Sequence, residues 1–276
     1  MKGYLSPEER KQRIEEETRR IEENMKNIHR KILVLSGKGG VGKTTVAVNL
    51  SVGLAEKGYE VGILDVDIHG PNVPKMLGLE EEKLGLRGGR ITPIFWKENL
   101  KVVSMAFLLE KSYLPVIWRG PLKTGVIRQF LADVDWGKLD YLIVDSPPGT
   151  GDEPLSVLQL IPSVDAAIVV TTPQEVSLLD CGKAVRFAKE LKVNKVGVVE
   201  NMRGLICPYC GKEIFLFKKG GGEKLSREFE VEFLGDLPIE PEVVEGGDKG
   251  RPVFFYGKRM KEKLRRLMEK VEEWLK

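Results

Sequence analysis

The sequence predicts an α/β fold, in which a mostly parallel, twisted sheet is covered by helices on both faces. Two observations predict it. From residue 31 onward, short and almost entirely apolar runs alternate with longer helical stretches, and strands that are buried on both faces have this composition. The chain also has 276 residues, of which 42% are apolar, so it can form one large domain with a substantial core. We therefore expect a single α/β domain over residues 31–276.

The individual elements follow in chain order. Residues 1–30 are predicted to form a charged helical extension, because Ser6, Pro7 and Glu9 make a capping motif near its start. Its apolar stripe is thin, so this helix is expected to dock on a surface. The predicted strands are 32–35, 61–64, 102–105, 142–144, 166–170 and 196–199, and the predicted helices are 43–57, 121–133, 175–191 and 258–275. A β-hairpin is predicted at 90–101, and the segment 203–230 interrupts the alternation as an inserted loop.

The composition excludes several functional classes. Lys and Arg exceed Asp and Glu by 44 − 41, and the net charge of +3 gives no reason to expect a nucleic-acid partner. Three Cys and two His are too few for a disulfide scaffold or for a complete Cys/His metal site within one chain. No apolar run approaches the ~20 residues that span a bilayer. We therefore expect a cytoplasmic protein with reduced thiols and no membrane partner.

A glycine-rich loop between the first strand and the helix after it matches G-x-x-x-x-G-K-[ST]. Glycines let backbone N–H groups surround phosphate oxygens, and the helix N-terminus favours negative charge. Lys43 is expected to reach the β- and γ-phosphates of ATP, and the Thr44 hydroxyl to bind Mg²⁺. The predicted phosphate-binding residues are Gly37, Lys38, Gly39, Gly40, Val41, Gly42, Lys43, Thr44 and Thr45. The motif predicts a P-loop NTPase.

Acidic residues follow two of the predicted strands, at the carboxyl ends where open α/β sheets bind ligands. Asp145 follows strand 142–144 in a Walker B arrangement and is expected to hold the Mg²⁺ shell. Asp65 and Asp67 follow strand 61–64. Hydrolysis also needs a residue that orients the attacking water, and the scarcity of His favours a carboxylate for it. The segments 65–72 and 145–152 are expected to act as two switches that sense the γ-phosphate.

A second lysine in the loop, Lys38, is not needed by a generic phosphate loop. With it, the loop KGGVGKTT resembles the deviant Walker A motif of the MinD-like ATPases, which include partition ATPases, nitrogenase iron protein and iron–sulfur carriers. The resemblance implies a homodimer in which Lys38 reaches the partner's nucleotide. It gives the water-orienting role to Asp67 and leaves Asp65 linked to Mg²⁺ or to its ligands. It also implies that Asn201, whose amide matches an adenine edge, and the loop containing Pro238 flank the base.

Cys207 and Cys210 form a CPYCG motif within the 203–230 segment. Two thiolates at this spacing can hold one metal ion or cluster, but structural zinc and a four-iron cluster each take four ligands. Three alternatives are therefore open: a redox disulfide, half of a zinc site, or half of a cluster site. A symmetric dimer would complete the ligand set. Cys181 lies inside a predicted helix and is expected to be a small buried residue without a function.

Several motifs between residues 30 and 275 resemble the Mrp/ApbC family of iron–sulfur cluster carrier ATPases. They are SGKGGVGKTT, LDVDIHGPN, VDSPPGTGDE, TTPQEVSL, CPYCG, GGGEKL and EPEVVEGGDKGRPV. The resemblance implies a slow, Mg²⁺-dependent ATPase with a MinD- or nitrogenase-iron-protein-like fold. It implies a homodimer that holds a [4Fe–4S] cluster, or zinc in its place, between Cys207 and Cys210 of two chains. Apo iron–sulfur client proteins would receive the cluster.

Two other functions remain open at this point. A MinD/ParA-like positioning or partition ATPase would hold no cluster, and the amphipathic helix 258–275 would serve it as a membrane-surface helix unless it packs on the sheet. A zinc-clasped dimer that shields hydrophobic protein segments, like the tail-anchor targeting ATPases, needs a large apolar insertion. The 203–230 segment is too short and too charged for that role.

Overall fold

The computed structural model describes residues 6–108, 120–207, 209–217, 219–255 and 258–276. The α-helices are α1 (Pro7–Lys26), α2 (Lys43–Glu56), α3 (Val73–Leu77), α4 (Gly120–Asp133), α5 (Asp152–Leu160), α6 (Glu175–Glu190), α7 (Gly221–Glu228), α8 (Pro241–Asp248) and α9 (Lys258–Leu275). The strands are β1 (Ile28–Ser36), β2 (Val61–Asp65), β3 (Gly85–Arg87), β4 (Arg90–Thr92), β5 (Ile94–Lys97), β6 (Leu100–Ser104), β7 (Leu139–Asp145), β8 (Ala166–Thr171), β9 (Lys195–Glu200), β10 (Leu205–Ile206), β11 (Glu213–Ile214) and β12 (Glu232–Asp236). Short 3₁₀ helices lie at Met105–Leu108 and Val253–Phe255.

The main sheet confirms the predicted α/β class. Its strand order is β12-β9-β8-β1-β7-β2-β6-β5, and every neighbouring pair is parallel except β5 with β6 at one edge. The central strands are apolar and buried because helices cover both faces of the sheet. One core lies under α2 and α9, and the other lies under α1, α4, α5 and α6.

The N-terminal helix is shorter than the predicted 1–30, whose first five residues lie outside the described ranges. It begins with the predicted capping box, in which the Glu9 N–H donates to Ser6 Oγ and the Ser6 N–H to Glu9 Oε2. It ends at Lys26, because Ile28 is buried in β1 opposite Leu139. The helix docks on α4, as the thin stripe predicts, and the buried Asn24 amide donates to carbonyl oxygens at the end of α4.

The predicted hairpin at 90–101 is divided between two hairpins. One joins β3 to β4 and the other joins β5 to β6. Strand β6 also pairs in parallel with β2, so the second hairpin extends the main sheet. The short helices α3, α5, α7 and α8 were not predicted, because each has too few turns to show a clear apolar period.

The C-terminal helix α9 closes one face of the sheet. Its apolar side packs into the core beside α2, so it is the last helix of the domain rather than a free amphipathic surface. The buried residues of this side are Met260, Leu264, Leu267, Met268, Val271 and Leu275, with Trp274 partly buried. No helix among the described residues combines the length and apolarity needed to cross a bilayer.

Candidate functional site

The phosphate loop connects β1 to α2 at the carboxyl edge of the sheet. Gly40 and Gly42 adopt left-handed backbone angles, with φ of 78° and 82°, that favour glycine. Gly37 lies against α6, where an added Cβ would come within 2.1 Å of the Asp180 carbonyl carbon. At Gly39 and Gly40 the space around an added Cβ is open. The loop is therefore anchored at its base and open where phosphates would approach.

The two predicted Mg²⁺-linked side chains of the Walker motifs meet in the structure. Asp145 is fully buried at the end of β7 and accepts a hydrogen bond from Thr44 Oγ1 at 2.7 Å. It also forms an ion pair with Lys43, whose Nζ lies 2.6 Å from Asp145 Oδ1. Lys43 Nζ also lies 3.7 Å from Asp67 Oδ2. Lys43, Thr44 and Asp67 line one end of a cleft of about 580 Å³ that continues past the glycines of the loop, and Asp145 lies directly behind them. Cation, hydroxyl and carboxylate are thus preassembled beside space for a ligand.

The two aspartates of the D-x-D motif occupy different environments. Asp65 is fully buried and opposite Asp145 in the β2–β7 register. Its carboxylate accepts hydrogen bonds from Ser104 Oγ and from the N–H groups of Asp67 and Val73. Burial, reinforced by the neighbouring Asp145 charge, holds the pKa of Asp65 well above its ordinary value. In this arrangement Asp65 fixes the start of the loop that follows β2.

Asp67 is the member of the motif that faces the cleft. Burial raises the pKa of Asp67 above its ordinary value, and the Lys43 charge counteracts part of that increase. Its Oδ1 accepts a hydrogen bond from the His69 N–H, which fixes the carboxylate on the loop. A carboxylate held beside the phosphate-binding lysine can accept a proton or a hydrogen bond from water in the cleft.

A polar cluster connects the two predicted switch segments. Lys123 on α4 lies 3.0 Å from His69 Nε2 of segment 65–72 and forms an ion pair with Glu153 of α5, at the end of segment 145–152. His69 Nε2 also lies 3.5 Å from Glu153. Lys123 was not predicted as a site residue, because it is far from both motifs in sequence and no motif contains it.

Lys38, Asn201 and Pro238 also line the cleft. Lys38 Nζ donates to Gln174 Oε1 at 3.3 Å, and Gln174 lies in the TTPQEVSL motif, to which no site role was assigned from the sequence. Asn201 Nδ2 donates to the Val41 carbonyl oxygen at 2.9 Å, which attaches the end of β9 to the phosphate loop. The predicted base-flanking residues and, apart from Gly37, the predicted phosphate-binding residues therefore surround one cleft.

The cysteine pair lies outside this cleft, on the small hairpin formed by β10 and β11. The Cys207 N–H donates to the Lys212 carbonyl and the Gly211 N–H donates to the Cys207 carbonyl, which closes the turn. Cys207 is partly exposed and Cys210 is exposed. The pKa of Cys207 is lowered, because the N–H groups of Cys210 and Tyr209 and the Cys210 thiol donate to its sulfur.

The hairpin offers two sulfur ligands, Cys207 and Cys210. Across the part of the chain that the structure describes, no group of three or more His, Cys, Asp and Glu could hold a metal ion. Cys181 is buried under the phosphate loop, where burial raises the pKa of its thiol. A metal ion or cluster at the hairpin would need ligands beyond those that the described residues supply.

Comparison with known proteins gives a consistent result. The family model described as ParA: NUBPL iron-transfer P-loop NTPase matches residues 27–272. The iron-sulfur cluster carrier protein of Methanocaldococcus jannaschii is 48% identical over 263 residues, which are 95% of this chain and 91% of that protein. The protein of the same name from Pyrococcus abyssi is 52% identical over 256 residues, which are 87% of this chain and 84% of that protein.

Solved structures place the fold among nucleotide-binding proteins. A nucleotide-binding protein from Archaeoglobus fulgidus, solved in complex with ADP, has a TM-score of 0.78 and 39% identity, with 89% of this chain and 96% of that chain covered. The cell division ATPase MinD of Pyrococcus furiosus has a TM-score of 0.61 and 24% identity over 89% of this chain and 99% of that chain. The second likeness concerns the fold alone.

Proposed function

The chain belongs to the iron-transfer P-loop NTPase family of the ParA/NUBPL type, and from this premise we propose that it is an ATP-hydrolysing iron–sulfur cluster carrier. It assembles a [4Fe–4S] cluster between two subunits and passes it to apo-proteins. One observation carries the proposal. A chain with a preassembled phosphate site also presents a partly exposed and an exposed cysteine on a hairpin whose base is bonded to a segment that lines the cleft.

The nucleotide half of the function rests on groups within one chain. Lys43 neutralises phosphate charge, while Thr44 and Asp145 offer the hard oxygen donors that suit Mg²⁺. When bound, Mg²⁺ would supply charge stabilisation for the transferring phosphoryl group. Asp67 orients the attacking water, since its carboxylate faces the cleft beside Lys43. Asp65 holds the Asp67 loop in place through its hydrogen bonds.

The cargo half of the function needs a second copy of the chain. A four-iron cluster takes four thiolates, and the hairpin supplies Cys207 and Cys210. A two-fold axis beside the hairpin would bring two such pairs together. The lowered pKa of Cys207 favours the thiolate that binds iron. Lys38, which pairs with Gln174 and not with the acidic groups of its own site, is available to act across the same dimer.

The membrane-associated alternative loses its structural basis. The apolar side of α9, which would have to enter a membrane surface, is buried against the sheet and α2. A positioning or partition ATPase also has no use for an exposed cysteine pair. The cytoplasmic location predicted from the composition stays a prediction.

Anaerobic reconstitution with iron and sulfide tests the cargo. The parent protein is expected to bind about four iron and four sulfide per dimer, with the visible absorption of a four-iron cluster. The double variant Cys207→Ala/Cys210→Ala is expected to bind none and to keep its ATP hydrolysis. Cys181→Ala is the matched control, since it removes a buried thiol of the same chain. Full cluster content in the double variant contradicts the proposal, and stoichiometric zinc in anaerobically purified protein favours the zinc alternative.

A further inference from the structure

The cysteine hairpin is joined to the nucleotide cleft by the backbone of two adjacent segments. After Asn201 the chain runs beside residues 237–239, where the Arg203 N–H donates to the Leu237 carbonyl at 3.0 Å. The Ile239 N–H donates in turn to the Gly204 carbonyl at 2.7 Å. Residues 238–240 line the cleft on the side of Asn201. The segment that would contact the base is therefore the segment on which the hairpin rests.

Asp236, at the end of β12, forms ion pairs at the point where the base of the hairpin meets segment 237–239. Its Oδ1 accepts from Arg203 at the base of the hairpin at 2.7 Å, and its Oδ2 accepts from Lys263 of α9 at 2.7 Å. The Asp236 side chain is 13% exposed and Arg203 is less exposed than Lys263, so the Arg203–Asp236 pair is the better shielded of the two. A third cation of this region, Arg259, donates to the carbonyl oxygen of Gly211, directly after Cys210.

The structure thus assigns a role that no sequence motif indicates. We propose that Asp236 is a positioning residue that couples nucleotide occupancy of the cleft to the placement of Cys207 and Cys210, acting through its ion pair with Arg203. When a base lies against Asn201 and Pro238, it orders segment 237–239, and the Arg203–Asp236 pair passes that order to the hairpin. This inference rests on the proposed function, because it assumes that the cysteine pair holds the cargo.

Thiol alkylation measures the coupling without any cluster. The apo-protein is treated with iodoacetamide at low protein concentration, with and without saturating ADP, and the modification of each cysteine is followed by peptide mass spectrometry. In the parent protein, ADP is expected to slow alkylation of Cys207 and Cys210 at least threefold. In Asp236→Asn, the rates with and without ADP are expected to be equal, although saturation by ADP is still reached.

Three further variants separate positioning from a general loss of structure. Glu232→Gln is the matched control, since Glu232 lies on the same strand and pairs with Lys270 of the same helix. It should keep the full ADP effect. Asp236→Glu, which keeps the carboxylate, should restore most of it. Arg203→Gln leaves the Asp236–Lys263 pair in place and should lose the effect, which keeps the test valid if Asp236→Asn does not fold.

The outcomes are distinct from those of the cargo experiment. Equal alkylation rates in the parent protein overturn the coupling, and so does an unchanged ADP effect in both Asp236→Asn and Arg203→Gln. If ADP protected the two thiols only by promoting dimer formation, the ADP effect would be unchanged in both variants, because neither substitution removes nucleotide from the phosphate loop. A failure to bind cluster, by contrast, leaves the thiol rates unaffected and counts against the proposed function alone.

Discussion

The phosphate loop and the cysteine hairpin differ in how much of a site one chain supplies. In the loop region, the predicted phosphate-binding Lys43 and the predicted Mg²⁺ ligand Asp145 already form an ion pair. The Lys43 side chain is 6% exposed and Asp145 is fully buried. The hairpin has strands of two residues, its Tyr209 is 97% exposed, and its two thiols have no third ligand among the described residues.

This difference indicates where each half of the function is determined. A buried cluster of one cation and three carboxylates is fixed by folding, so the nucleotide site should be complete in a single chain apart from the proposed contribution of Lys38 in trans. In the proposed function the exposed half-site is completed by assembly, so its chemistry would depend on a second chain. Substitutions in the two regions should therefore have separable effects on hydrolysis and on cluster content, while the proposed coupling through Arg203 and Asp236 concerns only how bound nucleotide affects the thiols.

Replacement of Lys43 by alanine is expected to have the largest effect on the nucleotide half. It removes the cation that faces both the phosphates and Asp145, and a lost electrostatic contact of this kind lowers hydrolysis by about 10³-fold. Steady-state phosphate release measures the loss. Iron and sulfide content after reconstitution should stay at the parent value, because the hairpin does not contact Lys43.

The control is Lys57→Ala at the other end of α2, where the lysine forms a surface ion pair with Glu272. That substitution should change hydrolysis little. Circular dichroism should verify that Lys43→Ala is folded, since its loss leaves neighbouring acidic groups without a counter-charge. If a folded Lys43→Ala protein also fails to bind cluster, the two regions are not separable as argued.

Asp67→Asn gives the next largest effect and a change in the pH dependence. The ionised carboxylate is the form that accepts a hydrogen bond from water, and burial raises its pKa. The hydrolysis rate of the parent protein should therefore rise with pH, and this acid limb of the pH–rate profile should lie at a higher pH than the pKa of an ordinary Asp would give. The variant should lose this limb, and its rate should fall by about 10²-fold while ATP binding persists.

Asp135→Asn, a residue outside the cleft, provides the comparison for the pH profile. It should keep both the limb and the rate. An acid limb that persists in Asp67→Asn would assign the titration to another group, and Asp65 is then the first to test because burial raises its pKa as well.

The sequence predicted the phosphate site better than the hairpin for a physical reason. Gly37 to Thr44 are contiguous, so a local motif determines the loop, and the aspartates follow strands whose buried apolar pattern is plain. The contact between Lys38 and Gln174 joins residues 136 positions apart, and nothing local encodes it. The same holds for Lys123, which contacts His69 and Glu153 only after α4 packs against α5.

For the hairpin, the sequence reveals the cysteine motif but not how the motif is attached to the rest of the domain. Its cysteine spacing is evident in the sequence, yet its attachment through Arg203 and Asp236 depends on the pairing of β9 with β12. The N-terminal helix was predicted to extend to residue 30 with Ile28 as the last residue of its apolar stripe, but Ile28 is buried in β1 and the helix ends earlier. Tertiary packing therefore overrides the local helix pattern at residues 27–30, and it alone determines how the hairpin is attached.

The smallest effect tests whether the hairpin is organised before its cargo arrives. Cys207 receives hydrogen bonds from two backbone N–H groups and from the Cys210 thiol, and only the thiol is lost in Cys210→Ala. The pKa of Cys207 should rise but stay below that of a free thiol, so its alkylation at pH 7 should slow by only about twofold. Cys181→Ala, which removes a buried thiol elsewhere, should leave the Cys207 rate unchanged. If Cys207 of the parent protein is alkylated at the rate of a free cysteine, the half-site forms only on assembly. The expected twofold slowing in Cys210→Ala would instead mean that each chain already holds one thiolate ready for the proposed shared cluster.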